Sequence, residues 1–239
     1  MSLTVEELEA QLPDATQLLS DELEMESSLH YFQLLLLVTC LEWLWREQND
    51  FFIGANLTIY YSRQQLRSRD FRGPDFFLVQ PTPKCPRNSW VVWEEDGKYP
   101  NLIIELLSSS TANVDRTLKK ELYQNQFRTP EYFWFSPDTL EFNGFRLNGQ
   151  HYQEITPNAQ GWRWSEVLQL YLGVGEAQLR YFTIEGTKVQ TPEEAASQAI
   201  QQAQQAESRL KQAESQVKQE QARAERLAAQ LRQLGIDPE

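Results

Sequence analysis

Three charged residues, Asp75, Glu105 and Lys119, have the chemical types and sequence surroundings expected of a catalytic site. Glu105 interrupts the apolar run of residues 102–107, which is typical of a strand buried on both faces. A carboxylate removed from water without a partner is costly or becomes protonated. The position of Glu105 therefore needs either a structural explanation, such as an Arg or a backbone turn that satisfies it, or a functional one.

Asp75 is the second acid of interest, because it stands where another apolar strand, FFLV, begins. Two carboxylates carried by strands of one small sheet would supply the oxygen ligands that a hard divalent cation requires. Such a site also leaves room for water and for phosphate oxygens. The pair Asp75 and Glu105 is therefore a candidate metal site.

Lys119 lies on a predicted helix that directly follows the Glu105 strand. It is four residues after Asp115, and Tyr123 is one helical turn further on. One interpretation is a solvated ion pair that contributes only tenths of a kcal/mol. Beside two metal-binding carboxylates, however, a lysine could orient the attacking water and stabilise charge on a phosphate.

Hydrophobic periodicity predicts an α/β arrangement around these residues. Residues 29–47 form the most hydrophobic helix and should pack under a sheet. A hairpin is expected to turn at Asn148-Gly149, whereas residues 162–184 fit either a short helix or a strand pair. The other predicted elements are strands within 57–61, 74–80, 90–93, 101–107 and 131–135, and a helix at 112–127 that follows the cap residues 108–111 and is stopped by Pro130.

The C-terminal part of the chain predicts one long helix. Thr191 and Glu194 form a capping box around Pro192. A heptad seam then continues to Gly235, where the helix should end. The seam is rich in alanine and contains Glu220, which predicts at best weak self-association or a partner helix through residues 191–234; a solvated helix is the alternative. Its members are Ala196, Ala199, Ala203, Ala206, Leu210, Ala213, Val217, Glu220, Ala224, Leu227, Leu231 and Leu234.

Charge and cysteine usage limit the possible functions. The net charge is −12, and residues 1–45 hold nine acids with no Lys or Arg. A nucleic-acid partner must therefore be engaged by a local patch, because non-specific phosphate binding needs a basic protein. Cys40 and Cys85 form no zinc or disulfide pattern. The acidic N-terminus is unlike a signal peptide, and the apolar run 29–45 is short for a membrane span, so we expect a cytoplasmic protein without a membrane partner.

The ordered motifs resemble those of the Uma-two family of bacterial endonucleases, which is similar in fold to the PD-(D/E)xK restriction-endonuclease superfamily. The resemblance covers about residues 24–172 and rests on PD before an apolar strand, PxLIIExLSxST, DxxxKxxxY and EYxWxxP. It implies a restriction-endonuclease-like core in which a mixed sheet of four or five strands is flanked by helices. The expected organisation is an acidic lead-in (1–28), this domain (29–190) and a coiled-coil-like helix (191–239).

The same resemblance implies roles for individual residues. Asp75 and Glu105 match the two metal-binding acids, with Mg²⁺ or Mn²⁺ as the cofactor and the Leu106 carbonyl as a further ligand. The wider superfamily has a lysine two residues after the second acid, where this chain has Leu107; Lys119, rather than Lys120, matches the lysine that replaces it. The remaining matches are Asp115 and Tyr123 as supporting residues, His30 as a recurrent histidine that is more commonly hydrogen-bonded locally, and Ser109 where proline is usual.

The sequence thus favours a metal-dependent endonuclease that hydrolyses phosphodiester bonds of DNA, with Asp75, Glu105 and Lys119 as its catalytic residues. A different class of function is also open. The chain could be a non-catalytic, nuclease-like scaffold that binds partners through its acidic N-terminus and C-terminal helix. Cleavage of DNA or RNA in the presence of Mg²⁺ or Mn²⁺ distinguishes the two hypotheses.

Overall fold

The structure of the protein is a computed structural model that describes residues 18–20, 27–62, 73–108 and 115–233. The chain divides into two compact units, Met1–Val189 and Gln190–Glu239. Helices and strands follow in chain order: α1 (Ser28–Leu44), β1 (Phe52–Ala55), β2 (Ile59–Tyr60), β3 (Phe76–Val79), β4 (Trp90–Val91), β5 (Leu102–Leu106), π1 (Asp115–Lys119), α2 (Lys120–Leu122), π2 (Tyr123–Phe127), β6 (Glu131–Phe135), β7 (Phe142–Asn148), β8 (His151–Glu154), β9 (Arg163–Ser165), β10 (Leu170–Gly175), β11 (Gln178–Phe182) and α3 (Pro192–Gln233).

A mixed sheet of six strands forms the centre of the first unit, in the order β1-β3-β5-β6-β7-β8. The β5–β6 pair is parallel and the other pairs are antiparallel. The fold class is therefore α/β, as the sequence predicts. The expectation of four or five strands was too small, because the predicted hairpin at Asn148-Gly149 adds both of its strands, β7 and β8, to one edge of this sheet. Gly149 occupies the left-handed conformation there, with φ of 60°.

Helix α1 packs on one face of the sheet, as its hydrophobicity predicts. Leu37 and Leu41 are fully buried against the side chains of β3, β5 and β6 that point to this face, among them Phe76 and Ile104. The helix ends at Leu44, three residues before the predicted end. At its start the Ser27 hydroxyl accepts a hydrogen bond from the His30 backbone N–H.

The segment of residues 115–127 packs on the opposite face of the sheet. It is helical, as predicted, but two wide π turns flank the single short α-helical stretch α2. Tyr123 and Phe127 are buried there with Ile103 and Tyr132 of the sheet. Residues 109–111 of the predicted cap cluster 108–111 and the start of the helix at 112–114 lie outside the described residues.

Residues 162–184, which the sequence did not resolve, form the three-stranded antiparallel sheet β9–β11. The β10–β11 turn lacks the Asn-Gly or Asp-Gly pair that usually marks such a turn. Glu176 and Ala177 adopt the left-handed conformation in its place (φ 56° and 59°), so no sequence signal marks the turn. This small sheet is tied to α1 by the Gln33 side-chain amide. It donates to the Leu179 carbonyl and accepts from the Leu179 N–H, both at 3.0 Å.

The second unit contains helix α3, which begins with the predicted capping box. The Glu194 N–H donates to Thr191 Oγ1 (3.2 Å), and the Thr191 N–H donates to Glu194 Oε2 (2.9 Å). The predicted end at Gly235 lies beyond the described residues. Neither α3 nor any other helix in the described ranges combines the length and apolar character needed to cross a membrane.

Candidate active site

The antiparallel pairing of β3 with β5 brings the two candidate acids to the same edge of the sheet. Phe76, the first residue of β3, pairs with Ile104, close to the end of β5. Asp75 immediately precedes Phe76, and Glu105 immediately follows Ile104. Residues 30 positions apart in sequence therefore become direct neighbours: the Asp75 N–H lies 3.4 Å from Glu105 Oε2.

Three backbone contacts position Asp75. Its Oδ2 accepts a hydrogen bond from the Leu106 N–H at 2.7 Å. Its carbonyl accepts from the Asn56 N–H, also at 2.7 Å. Two residues earlier, Gly73 approaches the Leu57 carbonyl oxygen so closely that a Cβ at Gly73 would lie 2.0 Å from it. The glycine of the Gly-Pro-Asp motif is therefore needed for the chain to reach this position.

The Glu105 side chain is completely buried and is held at both oxygens. The Tyr123 hydroxyl donates to Oε1 at 2.6 Å. The Lys119 ammonium group donates to Oε2 at 3.0 Å and is itself 19% exposed. The acid is thus not satisfied by an Arg or by a turn alone; a lysine and a tyrosine from the 115–127 segment are its side-chain partners.

The structure separates the two neighbouring lysines. Lys119 points to Glu105, whereas the Lys120 ammonium group lies over the Phe145 ring, 3.4 Å from its centre. Lys119, the residue matched by sequence, is therefore the lysine beside the acids. The side chain of Asp115 lies outside the described part of the structure, so its predicted pairing with Lys119 stays a prediction.

Burial raises the pKa of Glu105 from 4.5 to about 7. The Lys119 charge lowers this pKa, and the neighbouring Asp75 carboxylate raises it again. The Tyr123 hydrogen bond has a smaller, lowering effect. The site therefore places the buried Glu105 beside a second, partly exposed acid, Asp75, and the Lys119 charge compensates the two only in part.

This pKa predicts how the stability of the metal-free protein depends on pH. The carboxyl of Glu105 holds its proton up to about pH 7 in the folded state, but only to 4.5 when unfolded. Its stabilising contribution is therefore complete below pH 4.5 and is lost as the pH rises through about 7. In EDTA, we expect wild type to lose about 3 kcal/mol relative to Glu105→Gln across this range. Urea unfolding at a series of pH values measures the difference, and a constant difference would contradict it.

The donor set of the site fits a hard divalent cation. Asp75 and Glu105 offer carboxylate oxygens, and a cation between them would offset the like charges that raise the Glu105 pKa. Within the described ranges, no group of three or more His, Cys, Asp or Glu side chains could hold a metal. Two carboxylates are nevertheless sufficient for Mg²⁺, which usually keeps several waters and binds phosphate oxygens directly.

One neighbour of the site was not assigned a role by sequence reasoning. Trp134 of β6 is the pairing partner of Glu105 across the parallel β5–β6 contact, so the two side chains lie on the same face of the sheet. Its only sequence signal is the EYxWxxP motif. His30, by contrast, is hydrogen-bonded locally: its Nδ1 lies 2.8 Å from the Ser27 hydroxyl. No described hydrogen bond joins His30 to the two acids.

Comparison with known proteins identifies a family. The sequence model of the Uma2 (Uma-two) family, described as "Putative restriction endonuclease", matches residues 5–185. Among solved structures, a putative nuclease belonging to DUF820 from Anabaena variabilis is similar, with 14% identity and a TM-score of 0.46. That similarity covers 63% of this chain and 80% of the Anabaena chain. None of the curated proteins matches.

Proposed function

Because this chain belongs to the Uma2 family, we propose that it is a metal-dependent endonuclease that hydrolyses phosphodiester bonds of DNA. The observation that carries the proposal is the convergence of three groups from separate elements. The Asp75 N–H and the Lys119 ammonium group both contact Oε2 of the buried Glu105. A site of this kind needs no further protein ligand to bind a cation and a phosphate.

In the proposed site, Asp75 and Glu105 hold Mg²⁺ or Mn²⁺. The bound cation would supply Lewis-acid stabilisation of the charge on the phosphate oxygens. The protein fixes the two acids for this purpose. Tyr123 holds Glu105 Oε1, and the Leu106 N–H holds Asp75 Oδ2, so neither carboxylate can rotate away without losing a hydrogen bond.

Lys119 is the proposed electrophilic residue. Its ammonium group is 3.0 Å from Glu105 Oε2 and retains partial access to solvent. From this position it donates hydrogen bonds to a phosphate oxygen or to the attacking water. A preorganised donor of this kind stabilises the charge that develops in the transition state more than it stabilises the substrate.

Lys119→Met is expected to lower Mg²⁺-dependent cleavage of plasmid DNA by at least about a hundredfold, the usual effect of removing one such donor. The chain provides a matched control in Lys120→Met. It removes the same charge one residue away, from a side chain that packs on Phe145, and should leave cleavage close to wild type. Equal losses in the two variants would assign the effect to general charge rather than to the site.

The same assay distinguishes the proposed function from its rivals. Cleavage of single-stranded RNA but not DNA would change the substrate class while leaving the site intact. Wild-type protein that cleaves neither substrate with Mg²⁺ or Mn²⁺ would refute the enzymatic proposal. Such a result would favour the alternative hypothesis, a non-catalytic, nuclease-like scaffold that binds partners.

A further inference from the structure

Helix α3 carries an apolar seam with no partner among the described residues. It is 42 residues long, and the large apolar side chains that the structure describes on it are each more than half exposed. Three of them, Leu210 (60%), Val217 (54%) and Leu227 (51%), belong to the heptad seam. A single helix cannot bury such a seam, so the exposed area favours association with another helix.

The seam gives each residue a heptad position. Counting Ala196 as position a and Ala199 as position d places Leu210 and Val217 at a and Leu227 at d. The described helix contains more than five heptads, which exceeds the three or four that a coiled coil needs. Val217 at a with Leu227 at d is the combination that favours two strands, whereas the other a positions hold alanine or leucine.

The charges that flank the seam select the orientation of the second strand. Among the e and g positions that flank the seam, the two acids, Glu207 and Glu214, are both at e. The two arginines, Arg209 and Arg223, are both at g. In an antiparallel pair, e faces e and g faces g, which would place like charges together. In a parallel, in-register pair, g faces the following e of the other strand, so Arg209 meets Glu214 of the second copy.

We propose that this protein forms a homodimer through a parallel, two-stranded coiled coil of helix α3. The Arg209–Glu214 contact, together with the absence of any like-charge contact, is the observation that identifies the second copy, rather than an unrelated helix, as the partner. No g-to-e contact in this arrangement brings like charges together. The contacts are Gln202–Glu207, Arg209–Glu214, Gln216–Gln221 and Arg223–Ala228.

Glu220 is the one charged residue at a core position, and it keeps the dimer weak. The Arg223 guanidinium lies 3.9 Å from it on the same helix, which offsets its charge in part. Replacing Glu220 by leucine should therefore strengthen the dimer. A polar residue at one core position lowers the stability of a coiled coil while restricting its alternatives.

Sedimentation equilibrium of the full-length chain tests the proposal. Glu220→Leu is expected to lower the dimer dissociation constant at least about tenfold, since it replaces a charge in the seam by an apolar side chain. Lys218→Leu is the matched control, because it adds the same side chain at a b position outside the seam. Equal strengthening by both variants, or a wild-type chain that stays monomeric at about 100 µM, would overturn the proposal.

Orientation needs a separate measurement. In the Cys85→Ser background, which removes the exposed cysteine, Val217→Cys should form an intermolecular disulfide under mild oxidation, because equivalent a positions face each other in a parallel pair. Arg209→Glu should weaken the dimer, and adding Glu214→Arg should restore it. A dimer that fails to cross-link, or a charge swap that fails to restore it, would exclude the parallel arrangement.

Discussion

Glu105→Gln is expected to abolish Mg²⁺-dependent DNA cleavage, lowering the rate by at least about a hundredfold while the protein remains folded. The amide keeps the size of the side chain and can still accept the Tyr123 hydrogen bond at Oε1. It removes the negative charge at Oε2, where the contacts with Lys119 and the Asp75 N–H converge. Loss of Mn²⁺ binding, measured by titration calorimetry, should accompany the loss of cleavage.

A matched isosteric control is Glu154→Gln, which replaces a surface acid that is 55% exposed and paired with Arg163. It should cleave DNA and bind Mn²⁺ as wild type does. If Glu105→Gln retains cleavage within a few-fold of wild type, Glu105 is not a metal ligand, and its burial must be explained by structure alone. Retained metal binding without cleavage would instead assign Glu105 to a step after binding.

Glu131→Ala is expected to have the largest effect on stability, a loss of about 3–5 kcal/mol. Glu131 is 1% exposed at the start of β6, and four groups donate to its carboxylate. Arg146 binds Oε1 through two nitrogens at 2.9 and 3.0 Å, and the Glu166 N–H binds the same oxygen at 2.8 Å. The Ser165 hydroxyl and the Val167 N–H bind Oε2. Arg146 keeps the Trp164 carbonyl and the Glu166 carboxylate as acceptors. Removing the Glu131 carboxylate, however, takes this buried acceptor from the Ser165 hydroxyl and from the two backbone N–H groups, which is why the cost is high.

Urea unfolding measures this effect, with Glu154→Ala as the control. The Glu154 pair with Arg163 is partly solvated, so its removal should cost about 1 kcal/mol or less. A loss of similar size in both variants would show that the Glu131 cluster is not a principal connection between the six-stranded sheet and the β9–β10 region. Because Glu131 is separate from the candidate site, the Glu131→Ala protein that remains folded should still cleave DNA.

Of the three predicted site residues, Glu105 is unusual by its sequence environment alone, whereas the resemblance to the Uma-two family joins it to Asp75 and Lys119. An acid inside the apolar run 102–107 is an energetic anomaly, and the lysine on the following segment is near it for topological reasons. The hydrogen bond between Tyr123 and Glu105 was harder to predict from the sequence, because it depends on which turns of the 115–127 segment face the sheet. The wide π turns of that segment have no distinct sequence pattern.

Glu131 and the β9–β11 sheet show what the sequence could not reveal. Glu131 begins an aromatic strand, where an acid is unremarkable, and its partners come from residues 15 to 36 positions later. Strands of three to six residues joined by turns of ordinary, non-glycine residues lack the usual markers of a sheet. Both features depend on tertiary contacts rather than on local patterns.

The register of strand β5 against β3 decides whether Glu105 faces the candidate site. The apolar side chains of β5 face both sides, so hydrophobic patterning alone does not fix this register. Two side-chain clamps do so instead: Asn101 Oδ1 accepts from the Gln80 N–H (2.8 Å) at one end, and Asp75 Oδ2 accepts from the Leu106 N–H (2.7 Å) at the other. A slip of one residue would turn Glu105 to the opposite face, towards α1. Asp75 therefore stabilises the β3–β5 register that places Glu105 in the candidate site. Replacing Asp75 would weaken this register as well as remove a candidate metal ligand.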